Sequence, residues 1–311
     1  MRGVKMWLWI VATLVMIAII AAATWAWTPD RSRAELEAKY LSDPADMIEI
    51  AGTRLHLRDS GAAKSGRTVI LLHGLGSHLQ TWDGWANILD DEFRVVCFDF
   101  PGAALSPPDS TGRYDDERAS ELLLGIMDHL GVENASIIGN SVGGRIAWKF
   151  ASQHGERVEK LVLISPDGYA SPGFAYGKPP EVPFIMSAMK YALPKSMLRT
   201  NLEIAYGDET RLSDATMDRY HDLMLAPGNR QALLDRMKQT VLQNPEPFLK
   251  KITAPVLLLW GEEDRMIPVT NAQDYLAVLP DARLVTLPDL GHVPFEEAPT
   301  ESIKPVLDFL Q

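Results

Sequence analysis

Gly139-Asn140-Ser141-Val142-Gly143-Gly144 stands between an apolar, strand-like run, Ala135-Ser136-Ile137-Ile138, and a segment where Ile146, Ala147, Phe150 and Ala151 recur at helical spacing. A chain that passes from strand to helix across so few residues turns sharply, and the turn strains its central residue. Glycines on either side let the backbones approach where a Cβ would collide. The Ser141 hydroxyl then projects from the start of a helix, where unpaired amides and the positive dipole end stabilise an oxyanion. These are the surroundings of a nucleophilic serine.

Such a serine needs a base, and the base an orienting acid, in the chain order serine, acid, histidine for this kind of turn. The apolar run Pro255-Val256-Leu257-Leu258-Leu259-Trp260 ends in Gly261-Glu262-Glu263-Asp264, and Arg283-Leu284-Val285-Thr286-Leu287 ends in Pro288-Asp289-Leu290-Gly291-His292. Asp264 and His292 therefore lie just beyond the carboxyl ends of two strands and complete a Ser141–Asp264–His292 set. Glu262, Glu263 and Asp289 are nearby alternatives to Asp264. Asp167, after Leu161-Val162-Leu163-Ile164, is the most serious competitor. His56, His129, His154 and His221 read as surface residues.

Val69-Ile70-Leu71-Leu72 is another buried-strand run, ending in His73-Gly74-Leu75-Gly76. An amide there faces the serine turn from the neighbouring strand, so the N–H groups of Leu75 and Val142 are the expected oxyanion donors. His73 precedes that turn and reads as structural.

With these motifs in order, and with Asp99-Phe100-Pro101-Gly102 between them, the chain from Met47 onward resembles the α/β-hydrolase superfamily, in its serine branch of esterases, lipases and carbon–carbon-bond hydrolases. The resemblance implies an α/β fold: a mostly parallel sheet flanked by helices, with an inserted helical cap. Ala104 stands before Ser106 where the family often has a second glycine, a departure in a loop that shapes the pocket wall. Serine at the turn separates the chain from the haloalkane dehalogenases and epoxide hydrolases, which carry aspartate there.

The expected core is 47–167 with 251–311, and the cap is 168–250. That stretch opens loop-like through Pro172, Gly173 and Pro179, then reads as helical over Pro183 to Tyr191, Asp214 to Leu225 and Asn229 to Leu242. Its apolar cluster between Phe174 and Leu198 supplies Phe184 and Met189 as expected substrate-binding residues in a pocket roof.

From Met6 to Trp27 about 22 residues run without a charge, enough to cross roughly 30 Å of hydrocarbon, with tryptophans near both ends. Residues 1–28 are thus expected to be a single-pass membrane anchor, and 29–46 a linker containing a short helix or stalk over Ala34–Leu41. A signal peptide cleaved near Ala21-Ala22-Ala23 is the alternative. Arg2 and Lys5 nearly balance Arg31, Arg33 and Lys39, leaving the side of the membrane open.

A net charge of −11 argues against a nucleic-acid partner, and the single cysteine, Cys97, offers neither a disulfide framework nor a metal cluster. No metal or organic cofactor is expected. The function expected first is a membrane-anchored hydrolase of small apolar or lipid-like esters working through an acyl-enzyme. A carbon–carbon hydrolase of vinylogous diketones is the alternative, and a non-catalytic membrane-tethered binding protein the remaining one. Oligomeric state is not legible.

Overall fold

The computed structural model describes residues 2–61, 66–170 and 175–311. Helix α1 (Arg2–Ala26) contains one stretch, Met6–Ala26, long and apolar enough to cross a membrane, none of it buried against the rest of the chain. Helix α2 (Arg33–Tyr40) follows, its first turn closed by Ser32 Oγ, which accepts the Glu35 amide. It is not a free stalk: Leu36 is buried with Ala104, Leu105, Leu223 and Ala226.

Eight strands then build one sheet: β1 (Met47–Ile50), β2 (Thr53–Asp59), β3 (Thr68–Leu72), β4 (Arg94–Phe98), β5 (Ala135–Asn140), β6 (Val158–Ile164), β7 (Val256–Gly261) and β8 (Ala282–Leu287). Their order is β1-β2-β4-β3-β5-β6-β7-β8, antiparallel from β1 through β2 to β4 and parallel across the rest. The parallel strands β3, β5 and β7 are buried along their whole length because both faces of the sheet are covered there. Ile70 and Leu72 face one apolar layer, with Leu122, Ile126, Ile146 and Phe150. Val69 and Leu71 face the other, with Trp82, Trp85, Val306 and Leu310. Helix α3 (Asp83–Leu89) and the C-terminal helix Lys304–Leu310 thus cover one side, and α4 (Asp116–His129) and α5 (Val142–Gln153) the other.

Between β6 and β7 lie α6 (Lys195–Glu203), α7 (Asp214–Met224) and α8 (Asn229–Gln239). The helix expected over Pro183 to Tyr191 is a 3-10 helix, Phe184–Lys190, and α6 was not anticipated. Pro172, Gly173 and Phe174 lie outside the described residues.

His56 corrects the sequence reading. It is fully buried on β2, with its Nδ1 2.7 Å from Asp99 Oδ2, a carboxylate just beyond β4 that partners this ring nitrogen inside the fold. The other Asp99 oxygen accepts the Leu79 amide at 2.7 Å, and the Asp99 carbonyl accepts the Ser106 hydroxyl at 2.7 Å, so Asp99 ties the segment after β3 to the loop carrying Ala104. Ala104 holds φ +47°, a conformation that suits glycine, and its methyl is buried against the cluster containing Leu36.

Candidate active site

Ser141 links β5 to α5 with φ +55° and ψ −119°. A non-glycine residue held there costs on the order of 1–3 kcal/mol and persists only where its surroundings fix it. Its amide donates to Ile164 O at 3.0 Å, and its carbonyl accepts the Arg145 and Asp167 amides, each at 3.0 Å. Two glycines make the turn possible: a Cβ on Gly139 would stand 2.4 Å from Gly143 O, and one on Gly143 2.3 Å from Leu72 O. The serine is half-buried.

His292 and Asp264 are brought together from the ends of β8 and β7. Asp264 Oδ2 lies 2.7 Å from His292 Nδ1, while Oδ1 accepts the amides of Met266 and Ile267, both at 2.8 Å. Both side chains are nearly out of solvent. A carboxylate so placed keeps the proton on Nδ1 and leaves Nε2 free to accept one. Asp167 is occupied elsewhere. Its carboxylate pairs with the buried Arg145 guanidinium, which Asp116 also contacts.

Asn140, to which sequence reasoning gave no role, ties the two halves of the site. Its Nδ2 donates to His292 O at 3.0 Å and to Ile164 O at 3.2 Å. Its position beside Ser141 was the only available signal.

Among the described residues, no hydrogen bond occupies the amides of Leu75 or Val142. Gly74 carries Leu75 close to the serine: a Cβ there would lie 3.3 Å from Ser141 Cβ. His73 beneath is buried and sits between the Gly74 carbonyl (2.8 Å from Nδ1) and the Phe100 amide (3.1 Å from Nε2). Burial pushes its pKa down, keeping it neutral.

Leu75 and Val142 line a cleft walled by Phe100–Ala104 and closed by Tyr220, Leu223 and Met224 of α7 and by Ala232, Leu233 and Arg236 of α8. Phe184 and Met189 are absent from that lining. Phe184 is 92% exposed, and the Met189 carbonyl accepts Arg230 at 3.1 Å; α7 and α8 fill the place assigned to them. His78 also lines the cleft and is buried, and burial lowers its pKa well below the usual value. Arg236 is a buried cation with no carboxylate partner among the described residues. Its one hydrogen bond reaches Pro101 O at 3.4 Å, and its guanidinium lies 5.4 and 5.6 Å from the Phe100 and Tyr114 ring centres. Burial lowers its pKa to about 10, so it stays charged at neutral pH.

Two glutamates after His292 fasten the cap. Glu296 takes the hydroxyls of Tyr206 (3.0 Å) and Tyr220 (2.9 Å) and pairs with Arg219 (3.1 Å); burial raises its pKa. Glu297 accepts the amides of Gly207, Asp208 and Gly291 at 3.1, 2.9 and 2.8 Å. His292 N itself donates to Ala205 O at 2.7 Å.

Residues 67–299 match the family of the alpha/beta hydrolase fold. The chain is 32% identical over 273 residues to a 2-hydroxy-6-oxononadienedioate/2-hydroxy-6-oxononatrienedioate hydrolase of Paraburkholderia phymatum, covering 83% of this chain and 91% of that one. It is 30% identical over 270 residues to the hydrolase of the same name from Cupriavidus pinatubonensis, covering 83% and 90%. Among solved structures, a membrane phospholipase A described as a bacterial virulence factor superposes with a TM-score of 0.71 at 24% identity over 97% of each chain. A family match that runs from β3 through the serine turn to the histidine loop leads to one conclusion: the chain belongs to the alpha/beta hydrolase fold family.

Proposed function

We propose that this chain is a serine hydrolase that cleaves a carbon–carbon bond in a small vinylogous diketone bearing a carboxylate. The observation that carries the reading is Arg236, a buried guanidinium without a carboxylate partner among the described residues, in the wall of an otherwise mainly apolar cleft beside the Leu75 and Val142 amides. Such a cation is costly to bury and favours an anionic group that enters with the ligand. The names of the relatives describe dienedioate and trienedioate substrates, which carry such groups.

In this mechanism Ser141 attacks the ketone carbonyl as His292 takes its proton, and Asp264 holds the imidazole in the productive tautomer. The Leu75 and Val142 amides receive the oxyanion. Collapse breaks the carbon–carbon bond, its electron pair spreads along the conjugated chain, and the His292 imidazolium protonates the departing carbon. Water, deprotonated by His292, then releases the acyl group from Ser141.

A second reading, hydrolysis of apolar or lipid-like esters at a membrane, uses the same residues. It is favoured by α1, which we read as a single-pass anchor, and by the fold shared with the membrane phospholipase A across 97% of this chain. The test is kcat/KM of the full-length protein for a 2-hydroxy-6-oxo-dienoate and for p-nitrophenyl acetate through decanoate. Turnover of the dienoate in preference to every ester supports the first reading. No dienoate turnover, with ester kcat/KM climbing about fourfold per added CH₂, replaces it with the second.

A further inference from the structure

Helix α1 ends at Ala26, and the very next residue is already part of the folded body. Trp27 bridges Ala192 and stacks on Tyr191 with ring centres 6.1 Å apart. The Thr28 amide donates to Tyr191 O at 2.8 Å, and Thr28 Oγ1 accepts the Leu193 amide at 3.1 Å. Arg230, buried on α8, spans Thr28 O, Met189 O and Asp30. No slack separates the apolar helix from residues 184–193.

That segment is unusually apolar for a surface. Past Trp27, the large apolar side chains exposed among the described residues are Leu75, Tyr176, Phe184, Ile185, Tyr191, Met197, Ile204, Val241 and Met266. Phe184 at 92%, Ile185 at 76%, Tyr191 at 57% and Met197 at 59% exposure fall within one short stretch. A 3-10 rise of about 2 Å per residue keeps Phe184 within roughly 14 Å of Tyr191. Charge points the same way. Between 178 and 199 the basic residues Lys178, Lys190, Lys195 and Arg199 face the single acid Glu181, in a chain of net charge −11. Lys195 and Arg199 pair with Asp218 and Asp214, which leaves Lys178 and Lys190 against Glu181, a basic excess of one.

We infer that the Phe184–Tyr191 segment is a second membrane contact: it lies in the interface of the bilayer that α1 crosses, with Phe184 and Ile185 among the acyl carbonyls and Lys178 and Lys190 at the headgroups. The inference rests on reading α1 as a membrane span. An apolar patch held at the exit of an anchor, beside Trp25 and Trp27, meets lipid before it meets any soluble partner. Side chains of this kind settle about 5–10 Å into the headgroup–acyl boundary. The cap is thereby held against the bilayer at two points instead of hanging from one.

The test places an environment-sensitive fluorophore at Phe184→Cys, Val15→Cys or Asn134→Cys in the full-length protein, reconstituted in phosphatidylcholine–phosphatidylglycerol vesicles; Cys97 is buried and stays in place. The expected result is blue-shifted emission at positions 184 and 15, quenched by nitroxide-labelled lipid, with position 134 quenched only by aqueous iodide. A label at 184 that behaves like the one at 134, while 15 reports lipid, overturns the inference and leaves the anchor standing. If 15 also reports water, the anchor reading falls, and the inference with it.

Discussion

The side-chain amide of Asn140 donates to the carbonyl of His292 at 3.0 Å, so the residue before the serine and the histidine itself are joined directly. No backbone ladder connects β5 to β8, which are separated in the sheet by β6 and β7. Removing this bond lets the histidine loop drift relative to the serine turn. Asn140→Ala is expected to lower kcat about tenfold, close to 1.4 kcal/mol, with little change in KM. The rate of Ser141 labelling by a fluorophosphonate should fall in step; an unchanged labelling rate would refute the positioning role.

The two acids separate cleanly. Asp264→Asn should cost roughly 10⁴ in kcat, because an amide no longer fixes the histidine tautomer. Asp167→Asn should leave turnover near wild type and show mainly in stability, since its carboxylate faces Arg145. Ser141→Ala and His292→Ala should each abolish turnover while the urea midpoint barely moves. Steady-state kinetics beside urea unfolding decide the matter.

Arg236→Met keeps the length of the side chain and removes its charge. For a carboxylate-bearing substrate the loss of a charge-assisted bond of about 1.5–3 kcal/mol corresponds to roughly 10- to 150-fold in kcat/KM. Neutral p-nitrophenyl acetate should be spared. Equal losses on both substrates would mean that Arg236 shapes the cleft without recognising an anion.

Acid should weaken the fold through His78. Burial holds its folded pKa well below the unfolded value near 6.5, so its contribution is complete above that pH and is lost as pH falls toward the folded value. From pH 7 to pH 5 this amounts to up to about 2 kcal/mol for the one group. His78→Phe, which preserves packing on the Tyr220 ring 4.5 Å away, should flatten the decline by that amount. Urea midpoints at the two pH values, read by tryptophan fluorescence, provide the check.

The parallel sheet was legible because strands buried on both faces read as unbroken apolar runs, as in Val69–Leu72 and Leu161–Ile164. The placement of Ser141, Asp264 and His292 just beyond strand ends was legible because each follows such a run at a turn marked by glycine. His56 was not, since its partner Asp99 lies 43 residues away and no local pattern announces it. Phe184 and Met189 failed for a related reason. Apolar character alone does not say whether a cap residue faces the cleft or the outside, and here the packing of α7 and α8 chose Leu223, Met224 and Leu233 instead. Arg236 and the Glu296–Glu297 pair have roles that exist only once the cap is folded against the core.

The seam between cap and histidine loop limits how this chain diversifies. A Cβ on Gly291 would stand 2.4 Å from Gly207 N, and one on Gly207 2.7 Å from Asp289 O, so two backbones touch with no side chain between them. Side chains in the cleft wall can be exchanged singly, but residues 205–208 and 289–297 fit only as a matched pair. A cap transplanted from a relative would therefore disturb His292 unless it brought this strip along. New specificities are open to this protein through point changes on α7 and α8 far more readily than through wholesale replacement of the insertion.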